Sequence, residues 1–209
     1  MPTLEQAQSW YPNDPVHGFD HIQRVYQTAE RLAKAEGADL EIVRAAALLH
    51  DVEESQASGQ RAAHHQRSAE FAAQVLRSEG WPEERIAAVQ HCIRAHRFRN
   101  TGEAPQTIEA QVLFDADKLD VCGAIGVART LAYALQADTP FYSPPSQNFL
   151  TSGKTEAGEP HSAYHEYLFK LRHVKDRLFT RSGRALAEGR HQALCAFFEQ
   201  LADEMEGRA

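Results

Sequence analysis

No C-x-x-C pair occurs among the three cysteines of this chain, Cys92, Cys122 and Cys195, which excludes a disulfide framework and a thiolate zinc site and fits a reducing compartment. Long apolar runs are also missing: none approaches the ~20 residues that span a bilayer. The opening MPTLEQAQSWYPNDP has no basic segment followed by an apolar core, so a cytoplasmic protein is expected, neither secreted nor membrane-bound. Positive charge is in deficit, with a net charge of -7 and a pI near 5.9, and no nucleic-acid polymer is expected as a partner. Runs of β-branched residues are scarce. What remains is a 209-residue chain, 43% hydrophobic, long enough to bury a sizeable core as one domain.

Alanine, leucine and glutamate are abundant, and the apolar residues recur at helical spacing, which predicts an all-α fold. Ile22, Val25, Ala29, Leu32 and Ala33 share one face of a helix from Asp20 to about Glu36, with Asp20 and Gln23 as a capping pair and Gly37 as the stop. A second helix runs from Asp39 into His50, a third from His64 to Ser78, a fourth from Pro82 to about Ala95, and a fifth from Ile108 to about Ala124. The stretch from Gln136 to Pro160 is rich in Pro, Ser, Thr and Gly and reads as a long loop, with the length of a lid. Two helices close the chain, one opened by Tyr164, Leu168 and Leu171 and the last from Ala185 to Met205. A core over about 17–126 carrying C-terminal helices over about 161–206 is the expected organisation.

The stretch AAALLHDVEES, at 45–55, runs from apolar residues into His50 and Asp51 and then into acid. His21 and His50 lie on apolar faces, where a lone histidine reads as a satisfied core residue. Asp51 changes that reading, because a buried carboxylate is costly unless something positive neutralises it. A divalent cation does so, with His21 from the preceding helix and Asp117 from LFDADKLD as further donors. Two imidazoles and two carboxylates suit one Mn²⁺, Mg²⁺, Co²⁺, Ni²⁺, Fe²⁺ or Zn²⁺ ion, Mn²⁺ being favoured, and leave positions open for water and a phosphate oxygen. Hydrolysis of a phosphoester or phosphoanhydride follows from that chemistry.

HGFDHIQRV at 17–25, LLHDVEE at 48–54 and DADKLDVCGAIG at 115–126 resemble the three signatures of the HD-domain phosphohydrolase superfamily, in the family's order. The likeness extends from about Trp10 to Glu206 and is strongest to bacterial HD hydrolases with an H-G-x-x-H opening. It implies an all-helical fold in which His21, His50, Asp51 and Asp117 hold one divalent metal. Some relatives split nucleoside triphosphates, often deoxynucleotides, into monophosphate and pyrophosphate. Others act on monophosphates or cyclic nucleotides.

Glu54 follows Asp51 by three residues and shares its side of a continued helix; related nucleotidases with H-D-x-x-E use that position to orient or deprotonate the attacking water. A solvent-facing acid is the alternative. His65, His91 and His96 raise a second metal, but the G-Y-P signature of two-metal relatives is absent, and His91 and His96 lie ~140° apart on a helix. They are expected to bind substrate phosphate or to donate a proton. Lys118 is the preferred phosphate contact; Arg24 is a second candidate whose alternative is an ordinary ion pair. Asp115 and Asp120 read as capping or solvated acids. Lys170, Arg172, Lys175, Arg177, Arg181 and Arg184 form the concentrated basic stretch, read mainly as a solvated face, and the pair His161 and His165 reads as packing. The expected activity is hydrolysis of a small-molecule nucleotide, most simply a triphosphate to monophosphate and pyrophosphate, against the alternatives of a monophosphate or cyclic substrate or a metal- and nucleotide-binding module without turnover. A homodimer is compatible with the sequence, which marks no interface.

Overall fold

The computed structural model describes residues 1–12, 14, 18–52, 64–97 and 102–209, and among them every regular element is helical. In chain order these are α1 (Leu4–Gln8), α2 (Phe19–Glu36), α3 (Leu40–Leu49), α4 (His64–Ser78), α5 (Glu83–Ala95), α6 (Ile108–Leu119), α7 (Gly123–Gln136), α8 (Gln147–Ser152), α9 (Ala163–Phe169), a 3₁₀ turn (Leu171–Arg177) and α10 (Arg181–Met205). The all-α expectation holds.

Local chemistry sets most of the boundaries. Asp39 caps α3 by accepting from the Glu41 and Ile42 amides, and Gly37 stops α2 at a φ of 72°, where a side chain would be strained. The expected capping pair of Asp20 and Gln23 does not form. Helix α2 begins one residue earlier, at Phe19, with Gly18 as its N-cap and no side-chain cap bond. Space explains this choice, since a Cβ at Gly18 would lie 2.2 Å from the Asp14 carbonyl.

Contacts divide the chain into two compact units, one of Met1–Lys118 with Leu178–Gly183, the other of Leu119–Arg177 with Arg184–Ala209. In the first unit α3 is the hub, packing on α2, α4 and α5, while α4 packs on α5. Every residue of α3 from Ile42 to Leu49 except Arg44 is buried, and Val25, Ala29 and Leu32 of α2, Ala72 and Leu76 of α4, and Val89 and Ile93 of α5 are buried with it. Asp115 is fully buried here and accepts from the Phe179 amide (2.8 Å), the Thr180 amide (2.7 Å) and the Thr180 hydroxyl (2.6 Å). It is therefore neither solvated nor the cap of a helix: it braces the 179–180 turn that leads into α10. Asp120 also departs from the solvated reading, being buried and bonded to Arg129 at 2.7 Å.

The second unit closes around Val127 and Ala134 of α7, Phe149 of α8, Ala163, Tyr167 and Leu168 of α9, and Leu194 and Phe198 of α10. Tyr167 stacks on Phe198 at 4.7 Å. Three sequence expectations are corrected here. The fifth helix ends at Leu119 and a separate one starts at Gly123, whose φ of 77° and the extended Cys122 before it break the path. The loop from Gln136 to Pro160 contains α8, nucleated by the Ser146 hydroxyl accepting from the Phe149 amide and anchored by buried Phe149. Glu159 then ties the segment down, accepting from the Ser146 amide (2.7 Å) and pairing with His165 (3.0 Å). The last helix begins at Arg181 rather than Ala185.

Candidate metal centre

Helix α3 ends at Leu49, with His50 as its C-cap and Asp51 in the turn beyond. His50 keeps helical dihedrals (φ −67°, ψ −32°), and its side chain and that of Asp51 lean together beyond the last turn. The His50 Nε2 and Asp51 Oδ2 atoms thus come within 3.6 Å of each other. Tyr11, which the sequence reading passed over, supports this corner: its buried hydroxyl donates to the Leu48 carbonyl at 2.9 Å. Burial, and secondarily the Asp51 charge, pushes the Tyr11 phenol well up.

Around Asp51 the first unit gathers side chains from several elements. His21 of α2 places Nε2 3.9 Å from Asp51 Oδ2 and 3.6 Å from Asp117 Oδ1 of α6. His64, at the start of α4, and His96, the C-cap of α5, each place Nε2 3.2 Å from Asp51 Oδ1. Lys118 bonds Asp117 Oδ2 at 2.5 Å and lies 5.1 Å over the Phe114 ring.

Electrostatically, burial opposes ionisation of Asp51, but His50, with His64 and His96 beside it, outweighs burial and holds the carboxyl well below the usual range. Asp117 is balanced in the same way, its burial offset chiefly by Lys118, and is also held low. Both are carboxylates at neutral pH. Burial, only partly offset by Asp51, lowers His96 and keeps it neutral.

Two of these buried atoms, His50 Nε2 and Asp51 Oδ1, have no hydrogen-bond partner among the described residues, which is costly unless an ion satisfies them. His21, His50 and Asp51 bring one ligand atom each within 4.8 Å of one another, and Asp51, His64 and His96 do likewise. Donors on one ion at ~2.1 Å stand about 3–3.5 Å apart, so the 3.6 Å between His50 and Asp51 and the 3.9 Å between His21 and Asp51 lie close to an ion's spacing, while Asp117 stands 3.6 Å from His21 and outside the groups that close to within 4.8 Å. The donor set fits a divalent ion, and two carboxylates with two imidazoles suit a borderline or hard one.

The other candidates separate. His91, although α5 ends at Ala95, does not join His96: it pairs with Glu103 at 2.5 Å and accepts from the Gln106 amide at 3.1 Å, a structural clip. His65 sits beside His64 with Nδ1 buried and lacking a partner among the described residues, and burial lowers its pKa to about 4. Arg24 is half-buried on α2, one turn from His21. Glu54 and His17 lie outside the described residues. His165 is fully buried against Phe149, whose ring centroid is 4.3 Å away, and the exposed His161 pairs with Glu166 at 3.7 Å. His64 was passed over as a site residue, yet a signal existed: His64, Ser68 and Ala72 form one buried stripe on α4.

This fold and donor set define a class. The HD domain model matches residues 18–122, half of the chain, and the chain belongs to the HD domain family and with it to the HD-superfamily hydrolases. Among particular relatives, it is 30% identical over 211 residues to YpgQ of Bacillus subtilis (strain 168), covering 97% of this chain and 94% of that protein. The crystal structure of YpgQ in complex with ADP aligns with a TM-score of 0.72 at 27% identity, over 99% of this chain and 100% of that one. An HD-superfamily hydrolase from Bacillus thuringiensis aligns with a TM-score of 0.72 at 28% identity, over 97% of this chain and 94% of that one. No described helix is long and apolar enough to cross a membrane.

Proposed function

We propose that the chain is a metal-dependent nucleotide phosphohydrolase that cuts a nucleoside triphosphate, a deoxynucleotide included, to monophosphate and pyrophosphate. The observation that carries this reading is the meeting of His21, His50 and Asp51, with Asp117 3.6 Å from His21, where His50 Nε2 and Asp51 Oδ1 are buried without a partner among the described residues. The ADP bound to YpgQ supports a nucleotide as the ligand class.

In this reading the four side chains hold one divalent ion, Mn²⁺ being the favoured one. Such an ion supplies Lewis acidity, acidifying water and offsetting charge on a phosphoryl oxygen. The chain's own groups do the rest. Asp51 and Asp117, held ionised, keep the donor set competent at neutral pH. Lys118, fixed between Asp117 and the Phe114 ring, presents an ammonium beside the centre for a phosphate oxygen. His96 is neutral, with its Nε2 toward Asp51, and contributes no repulsive positive charge next to an ion. Glu54 is the proposed residue for orienting the attacking water.

The test is release of pyrophosphate and phosphate from a nucleotide panel with Mn²⁺, Mg²⁺, Co²⁺ or Ni²⁺, comparing wild type with Asp51→Ala. Pyrophosphate from triphosphates, absent in the variant, is expected. Phosphate from monophosphates alone would shift the substrate, and no metal-dependent product from any nucleotide would refute the reading.

A further inference from the structure

His50, His64 and His96, three of the four imidazoles that face Asp51, are wired differently. His50 Nδ1 lies 2.9 Å from the Ala47 carbonyl, and His96 Nδ1 lies 2.5 Å from the Ile93 carbonyl. A carbonyl only accepts, so each Nδ1 carries the proton and each Nε2 turns a lone pair toward the centre. That is the tautomer of a metal ligand, whose outer N–H meets a carbonyl or carboxylate.

His64 is wired the opposite way. Arg97 Nη1 stands 2.8 Å from His64 Nδ1. A guanidinium has no lone pair and does not give up its proton, so it donates and Nδ1 accepts. The proton of the neutral imidazole is then on Nε2, 3.2 Å from Asp51 Oδ1. To bind an ion through Nε2, His64 would have to move that proton to Nδ1, against an N–H and a full positive charge. Asp51, His64 and His96 bring three ligand atoms close enough for an ion, but the Arg97 contact opposes one at His64.

We propose that His64 is a fixed hydrogen-bond donor, and that Arg97 is the positioning residue that holds it in the Nε2–H tautomer. The Asp51, His64 and His96 group is then a donor site for a phosphoryl oxygen and not a second metal site. In the resting protein Nε2–H faces Asp51. With substrate bound the same N–H, still held by Arg97, is offered to a phosphoryl oxygen of the nucleotide beside the ion held by His21, His50, Asp51 and Asp117. The substrate half of this proposal rests on the function proposed above, whereas the tautomer and the ion count do not.

The experiment reads the tautomer first. Long-range ¹H–¹⁵N correlations of the full chain with Mg²⁺ or Zn²⁺ bound should show one neutral histidine, absent from His64→Gln, with its proton on Nε2. Arg97→Lys, which keeps a donor, should retain that pattern, and Arg97→Gln, whose carbonyl can accept, should shift the population toward Nδ1–H. Metal analysis with Mn²⁺ should give one ion per chain in wild type and in His64→Gln. Pyrophosphate release should fall about tenfold to a hundredfold in His64→Ala and recover in part in His64→Gln, which restores an N–H donor. A His64 with its proton on Nδ1 when the ion is bound, or two ions in wild type of which one is lost in His64→Gln, would overturn the proposal. A wild type that hydrolyses no nucleotide would instead overturn the proposed function, and the tautomer and ion count would still decide the role of His64.

Discussion

Replacing Asp51 by Asn tests the metal centre without any knowledge of substrate. The variant keeps the shape of the side chain but removes the negative charge that faces His21, His50, His64 and His96 within 3.9 Å. Ion binding to the folded chain alone stabilises it by about 2.7 kcal/mol when the ion is at 100 times its dissociation constant. In a domain of this size each kcal/mol moves Tm by about 2–4 °C, so a wild-type rise of about 5–11 °C is expected on adding Mn²⁺ to chelated protein. Asp51→Asn should rise by less than about 2 °C, because it loses a donor charge and leaves only Asp117 to offset a dication. Thermal unfolding followed by circular dichroism, each variant against its own chelated baseline, gives the comparison. A wild-type shift retained in Asp51→Asn would refute the assignment, as would a wild type that none of the six candidate ions stabilises.

Three further outcomes follow from the packing and charges. Asp115→Ala leaves the part-buried Phe179 amide and the buried Thr180 amide and hydroxyl without their acceptor, at a cost of about 3–5 kcal/mol, so Tm of the chelated protein should fall by about 6–20 °C while the Mn²⁺ shift survives. Gly126→Ala puts a Cβ 2.4 Å from the Val121 carbonyl and should destabilise the chain by about 1–3 kcal/mol, read by urea unfolding. His65, lowered by burial to about 4, binds fewer protons folded than unfolded between that value and its ordinary 6.5. Stability therefore rises with pH through that window and is lost as pH falls through it, and His65→Gln should flatten the slope of unfolding free energy against pH in chelated protein.

Much of the candidate metal centre was legible because its residues announce themselves by type and by helical register. An imidazole and a carboxylate at the end of an apolar helix are an anomaly that burial alone does not explain, and His21 and Asp117 answered the search for partners. The caps at Asp39 and Gly37 were readable for the same reason, each being a local requirement of the backbone. Other features depend on neighbours remote in sequence. The break after Leu119 falls inside DADKLDVCGAIG, whose apolar spacing continues as if the helix did, and only the positive φ of Gly123 reveals it. Asp115 and Asp117 look alike in sequence, yet two residues on a helix turn by ~200°, and one braces a turn 64 residues later while the other faces His21. The Arg97 contact, 33 residues from His64, left no trace that periodicity could find.

One rule connects the legible and the hidden parts. His50 and His96 are both C-caps, and each Nδ1 reaches the carbonyl three residues back, Ala47 in A-L-L-H and Ile93 in I-R-A-H. The last four carbonyls of a helix have no intrahelical partner, so a histidine there finds an acceptor at hand and turns a lone pair inward. His64 is the first residue of α4 that the structure describes. Its Nδ1 is served by a donor from elsewhere, Arg97, and its inward nitrogen carries the proton. The group that meets Nδ1, a helix-end carbonyl for His50 and His96 and the Arg97 guanidinium for His64, thus sets the tautomer, and the tautomer separates the imidazoles able to bind an ion through Nε2 from the one that offers a hydrogen bond.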